Sequence, residues 1–122
     1  MAEHENVAAV RRMAEAMTVG DMQTLDAAIA DDVVWHQIGE PTLHGKDALR
    51  ASFGAADYEI TGKAHDIVGN DEHVIALSEA TATRNGKTLN YRTAEIFHVR
   101  NGQVTERWAY SDDTEAIIRF FA

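Results

Sequence analysis

Cysteine is absent from all 122 residues. Its absence excludes disulfides, thiolate nucleophiles and cysteine-ligated zinc, and it suits a reducing compartment. Proline occurs once, at Pro41, and no Gly/Ser-rich or repeated stretch marks a linker, so the chain reads as one compact domain over residues 1–122. No apolar run approaches the ~20 residues that a membrane helix needs. The start, MAEHENVAAVRR, places acids where a signal peptide places bases and has no apolar stretch. Basic residues are also scarce. Eleven Lys and Arg against 20 Asp and Glu leave a formal net charge of −9, which opposes binding to nucleic acid or anionic lipid. The expectation is a soluble, cytoplasmic protein with neither a membrane nor a nucleic-acid partner. Glycine-rich phosphate loops, Gly-x-Ser-x-Gly elbows and His-x-x-x-His spacings are missing too, so no cofactor, serine nucleophile or metal site is expected.

What is present is an ordinary apolar fraction, 45%, arranged in two periods. Val7, Val10, Met13, Ala14 and Met17 recur at helical spacing, with Gly20 suited to end the helix. Asp21 can cap a second helix, whose apolar stripe is Met22, Leu25, Ala28 and Ile29 and which closes at the ADD of residues 30–32. Val33-Val34-Trp35 reads as a buried strand that runs into His36 before the chain breaks at Gly39 and Pro41. HGKDALRASFG then predicts a short helix with Ala48, Leu49 and Phe53 inside. From Tyr58 the period falls to two, giving strands over 58–68, 73–83, 88–99 and 103–111. The last two connections, RNGK and RNGQ, both carry Asn-Gly, the strongest short hairpin signal. DDTEAIIRFFA predicts a final helix capped by Asp112 or Asp113, with Ile117, Ile118, Phe120 and Phe121 available to pack. Helices followed by an antiparallel meander make an α+β domain. A curved sheet with helices across its mouth encloses an apolar pocket, the usual setting for a small ligand.

Three blocks, AVRRMAEAMTVGDMQTLDAAIADDVVWHQIG, LHGKDALRASF and AEIFHVRNGQVTERWAYSDD, resemble in order and spacing a nuclear transport factor 2-like domain of the SnoaL-like and ketosteroid-isomerase-like kind. That resemblance covers nearly the whole chain. It implies a cone-shaped α+β roll, a homodimer through the sheet and a deep pocket, but no single reaction. Against ketosteroid isomerases, His36 falls at the position of the catalytic base, and Glu95 at that of the protonated acid of the oxyanion hole. Met13 stands where those enzymes have a tyrosine, and Ala109 where polyketide cyclases have an aspartate after the tryptophan. Neither acid–base set is whole.

Alternation groups Tyr91, Thr93, Glu95, Phe97 and Val99 on one face, and Arg92, Ala94, Ile96 and His98 on the other. A carboxylate among such neighbours must be paired, hydrated or held neutral. The last strand divides into Val104, Glu106, Trp108 and Tyr110 against Thr105, Arg107, Ala109 and Ser111. Two arrangements remain open. The cyclase comparison puts Ala109 and Arg107 inside, where Arg107 can pair with Glu95 and the two aromatics face a dimer surface. The opposite choice lines the pocket with Trp108 and Tyr110. An imidazole titrates near neutrality and can take and return a proton. The leading reading is therefore a cofactor-independent acid–base enzyme of isomerase, cyclase, dehydratase or hydrolase type. His36 would be its base or proton shuttle, with Glu95 orienting it or donating to a substrate oxygen. Met13, Met17, Trp35, Phe53, Tyr91, Phe97, Arg107 and Asp112 would surround a small, mostly apolar molecule. The alternative is a non-catalytic ligand-binding protein or dimerisation module of the same fold.

Overall fold

The computed structural model describes residues 3–122. Its elements run α1 (Glu5–Val19), α2 (Met22–Ala27), β1 (Ile29–Trp35), β2 (Leu43–His44), α3 (Lys46–Gly54), β3 (Glu59–Gly69), β4 (Val74–Arg84), β5 (Lys87–Arg100), β6 (Gln103–Ser111) and α4 (Thr114–Phe121). The six strands form one sheet in the order β2-β1-β6-β5-β4-β3. β3 to β6 make the antiparallel meander, and β1 joins it parallel to β6. Register breaks fall between Ala64 and Asp66, between His98 and Val99, and between Ile29 and Val34. Each one bends its strand, because an extra residue on one side of a ladder increases local twist. The sheet is accordingly curved.

Local chemistry sets most boundaries. Gly20 ends α1 at φ 73°, in the left-handed region. The Asp21 side chain accepts from the Thr24 N–H and starts α2. Asn85-Gly86 and Asn101-Gly102 have positive φ at both central residues, the backbone that a two-residue turn needs to match strand twist. Two boundaries differ from the sequence reading. Ala28 and Ile29 do not extend α2, and the ADD segment does not close it. Ile29 already pairs with Val104, and the Val104 N–H donates to the Ala28 carbonyl at 2.8 Å. Pairing with a strand 75 residues later thus overrides the helical stripe. The two-residue β2 also precedes α3, held by pairs Val34–His44 and Trp35–Leu43.

The core lies between α1, α3 and one face of the sheet, here called the inner face. Val7, Val10 and Met13 of α1 and Leu49 of α3 pack against Val33, Trp35, Ile67, Val74, Phe97 and Val104. Each large side chain fully buried this way contributes about 1.5–3 kcal/mol. Among the described residues no helix is long and apolar enough to cross a membrane.

Candidate functional site

Strand registers decide which side chains share a face. Trp35 lies opposite Arg107, Arg107 opposite Phe97, and Phe97 opposite Val74. Glu95 sits between Ala76 and Ala109, and Tyr91 opposite Ala80. Since Trp35, Phe97, Val74 and Ala76 are all buried in the core, alternation places Tyr91, Glu95, Arg107 and Ala109 on the inner face with them. Of the two arrangements open for β6, the structure has Arg107 and Ala109 inside and Trp108 and Tyr110 outside.

On the inner face the Arg107 guanidinium is held from three sides. Its Nη2 donates to Glu95 Oε1 at 2.5 Å, its Nη1 donates to the His36 carbonyl at 2.9 Å, and its plane lies over the Trp35 ring at 4.7 Å. The charged pair is mostly enclosed, with side-chain exposures of 14% for Arg107 and 26% for Glu95. A carboxylate in such a place needs a charged, hydrogen-bonded partner, and Arg107 supplies one. One group is left over: Arg107 Nε is buried without a hydrogen-bond partner. An unpaired buried donor costs about 1–3 kcal/mol. Tyr91 lies on the same face, four residues earlier on β5. Burial first, and then the Glu95 charge, raise its phenol above the ordinary 10.0, with Arg107 opposing. Tyr91 is therefore a neutral O–H donor at physiological pH.

His36 does not belong to this group. It follows Trp35 by one residue, so its ring emerges on the outer face of the sheet. There Nε2 meets Glu106 Oε2 at 2.7 Å, Nδ1 meets Thr42 Oγ1 at 3.2 Å, and the ring stacks on Trp108 at 5.1 Å and 12°. Trp108 in turn touches His98, and His98 touches His73, each with ring centres 4.8 Å apart. The expected contact between His36 and Glu95 is thus corrected: the two side chains leave opposite faces, and each has another partner. Alternation carried one step past the buried Trp35 gives the same answer. Glu106, the partner of the ring, lies 70 residues away in the sequence, and nothing local links the two.

The other candidates divide. Met13, Trp35 and Phe97 are buried in the core. Phe53 packs edge-on against Trp35, 6.4 Å between centres, and is 38% exposed. Met17 is 49% exposed and so does not wall an interior hollow. Asp112 accepts from the Arg92 N–H at 3.0 Å, which ties it to the backbone of β5; the cap of α4 is Asp113. Two surface cavities, of about 150 and 420 Å³, lie at Ala9, Arg12 and Thr24 and at Arg84, Lys87 and Phe120. Neither is lined by a residue of the candidate site. Among the described residues no three His, Asp or Glu side chains are grouped as a metal ion requires.

Comparison with known proteins places this arrangement. Residues 10–107 match the model of the SnoaL-like domain. An uncharacterized protein of Mycobacterium tuberculosis H37Rv is 31% identical over 131 aligned residues covering 100% of both chains. Among solved structures, a nuclear transport factor 2-like protein of unknown function from Burkholderia pseudomallei superposes with a TM-score of 0.86 at 24% identity, covering 98% of each chain. A putative polyketide cyclase from Xanthomonas campestris gives 0.77 at 25% identity, covering 93% of this chain and 94% of that one. An LEH-like epoxide hydrolase of M. tuberculosis gives 0.76 at 23% identity, covering 88% and 83%. The chain belongs to the SnoaL-like domain family and has the nuclear transport factor 2-like α+β fold.

Proposed function

We propose that this chain is a cofactor-independent acid–base enzyme acting on a small, mostly apolar molecule that carries a carbonyl, epoxide or hydroxyl oxygen. The reaction site is the inner face at Glu95, Arg107 and Tyr91, above Trp35 and Phe97. One observation carries the reading: an enclosed carboxylate–guanidinium pair on the inner face, in which Arg107 engages one oxygen of Glu95. Glu95 engages Arg107 through Oε1, and no described side chain bonds its Oε2. That second oxygen can take a proton from a carbon beside a carbonyl, or from a water molecule, and return it. The neutral Tyr91 hydroxyl, further along the same face, supplies a donor where negative charge develops on a substrate oxygen. Trp35, Phe97, Met13 and Phe53 would hold the apolar part. Isomerisation, cyclisation, dehydration and hydration all use this equipment. That the fold is shared with proteins named an epoxide hydrolase and a putative polyketide cyclase agrees with such chemistry without choosing among reactions.

The role first expected of His36 as base passes to Glu95 in this reading. The remaining parts of the proposal are a single domain over residues 1–122, a cytoplasmic setting, and a homodimer through the outer face around Ile75, Ile96, Trp108 and Tyr110. A second reading, a ligand-binding protein without turnover, is favoured by the engagement of Glu95 with Arg107, which leaves the carboxylate partly satisfied.

Turnover on a panel of enones, epoxides and lactones, compared with Glu95→Gln, tests both. The enzyme reading expects a loss of about 10²–10⁴-fold in kcat, with the circular dichroism spectrum unchanged. Thermal stabilisation by panel members without any turnover would establish the binder instead.

A further inference from the structure

The ring of His36 and its backbone face different partners, and β6 holds both. Glu106 takes the imidazole on the outer face, at 2.7 Å. Its neighbour Arg107 takes the backbone: the His36 N–H donates to the Arg107 carbonyl at 2.9 Å, and Arg107 Nη1 donates to the His36 carbonyl at 2.9 Å. The same guanidinium reaches Glu95 through Nη2. Residue 36 is also the first beyond β1, which ends at Trp35. Here the chain leaves the strand for the loop that contains Gly39 and Pro41, and the ring bonds take over as restraints on the backbone. They tie residue 36 forward to Thr42, across to Glu106, and flat against Trp108.

We propose that His36 is a positioning residue: anchoring its imidazole on the outer face fixes the carbonyl that orients Arg107, and through Arg107 the Glu95 carboxylate. A guanidinium is a rigid fork, so setting one N–H sets the direction of the others. With Nη1 on the carbonyl and Nη2 on Glu95, Arg107 Nε–H has one direction. Without the carbonyl, the fork keeps only Glu95 and the Trp35 ring and can turn. The outer face, where a second copy would dock, thereby bears on the geometry of the inner site. This inference rests on the reading of Glu95 and Arg107 as the reacting pair, but its test does not require a substrate.

The readout is the ¹H–¹⁵N resonance of Arg107 Nε–H, assigned by its loss in Arg107→Lys. His36→Phe keeps a ring to stack on Trp108 and removes both ring hydrogen bonds. It is expected to shift and broaden the Nε–H signal and to speed its exchange with solvent by about tenfold or more. His36→Gln retains a donor towards Glu106 and should restore much of the parent signal. An Nε–H signal in His36→Phe identical to the parent in position, width and exchange, with the amide spectrum otherwise native, would overturn the proposal. If His36→Phe does not fold, Thr42→Val and Glu106→Ala remove the ring's partners instead and are read in the same way. Once a substrate is known, His36→Phe should lower kcat with little change in KM. If Glu95→Gln leaves turnover intact while His36→Phe still moves the Arg107 signal, the catalytic reading fails and the positioning role stands.

Discussion

At the scale of single residues, the inner site is a problem of charge in a confined place. Arg107 has one carboxylate, one carbonyl and one aromatic face around it. Removing the carboxylate while keeping its shape, as in Glu95→Gln, leaves the guanidinium without a counter-charge. The expected cost in stability is about 1–3 kcal/mol, below the ~3–5 of a fully buried pair because some solvent reaches both groups. Chemical denaturation measures this separately from the kinetic effect. Tyr91 makes the second residue-scale prediction. Its folded-state value lies above the unfolded 10.0, for burial and the Glu95 charge both oppose the phenolate. A raised value means that stability is fully present below about pH 10 and is lost as pH climbs through the folded-state value. Unfolding curves between pH 9 and 12 should show this decline, and Tyr91→Phe should flatten it. A decline of the same steepness in Tyr91→Phe would assign it to other groups.

At the scale of elements, α4 shows how a short helix is kept on a sheet. Its N-terminus is capped by Asp113, which accepts from the Ala116 N–H at 3.0 Å. Ile117 is buried, and Phe121 meets Tyr58 edge-on at 4.8 Å. Gly39 leaves the space that Ile118 enters, and any Cβ there would overlap Ile118. The C-terminal end is held from elsewhere: Arg84, at the end of β4, donates to the carbonyls of Phe120 and Ala122 at 3.1 and 2.7 Å and pairs with Asp57 at 3.0 Å. A cation on the last carbonyls of a helix satisfies groups that have no partner within it and opposes the helix dipole. Arg84→Ala should therefore loosen α4 before the rest of the fold. Hydrogen exchange over residues 114–121 should speed up while β4 and β5 stay protected; equal exchange throughout would show that the apolar face alone holds the helix.

At the scale of the whole molecule, the sheet has two faces of different character. The inner one is covered by helices. On the outer one, registers align Ile75, Ile96 and Trp108 in one row and Leu77, Ala94 and Tyr110 in the next. Leu77 and Tyr110 are 37% and 60% exposed. An apolar face of this kind on a chain of net charge −9 suits a like face and not a polyanion. If two copies meet here, Tyr110→Glu brings an unpaired carboxylate into the contact from each side. The dimer should then weaken by about 100-fold or more, which corresponds to about 3 kcal/mol. Sedimentation velocity measures it, and an unchanged dimer would place the interface elsewhere.

The strands from residue 59 onward, both Asn-Gly turns, the Gly20 cap and the Val7, Val10 and Met13 stripe of α1 follow from short-range chemistry, and for that reason they are legible in the sequence. Period-two alternation also sorted Tyr91, Glu95 and Phe97 onto one face without knowledge of the fold. What lay beyond reach depends on contacts between distant segments. Ile29 is strand and not helix because Val104 lies beside it. The inward turn of Arg107 is settled by its register with Phe97 and Trp35. The imidazole at position 36 belongs to Glu106 and Trp108 because β1 adds to the meander alongside β6. Local propensity and alternation are properties of neighbouring residues, whereas the distant groups that a charge meets are set by strand pairing, which exists only once the chain has closed on itself.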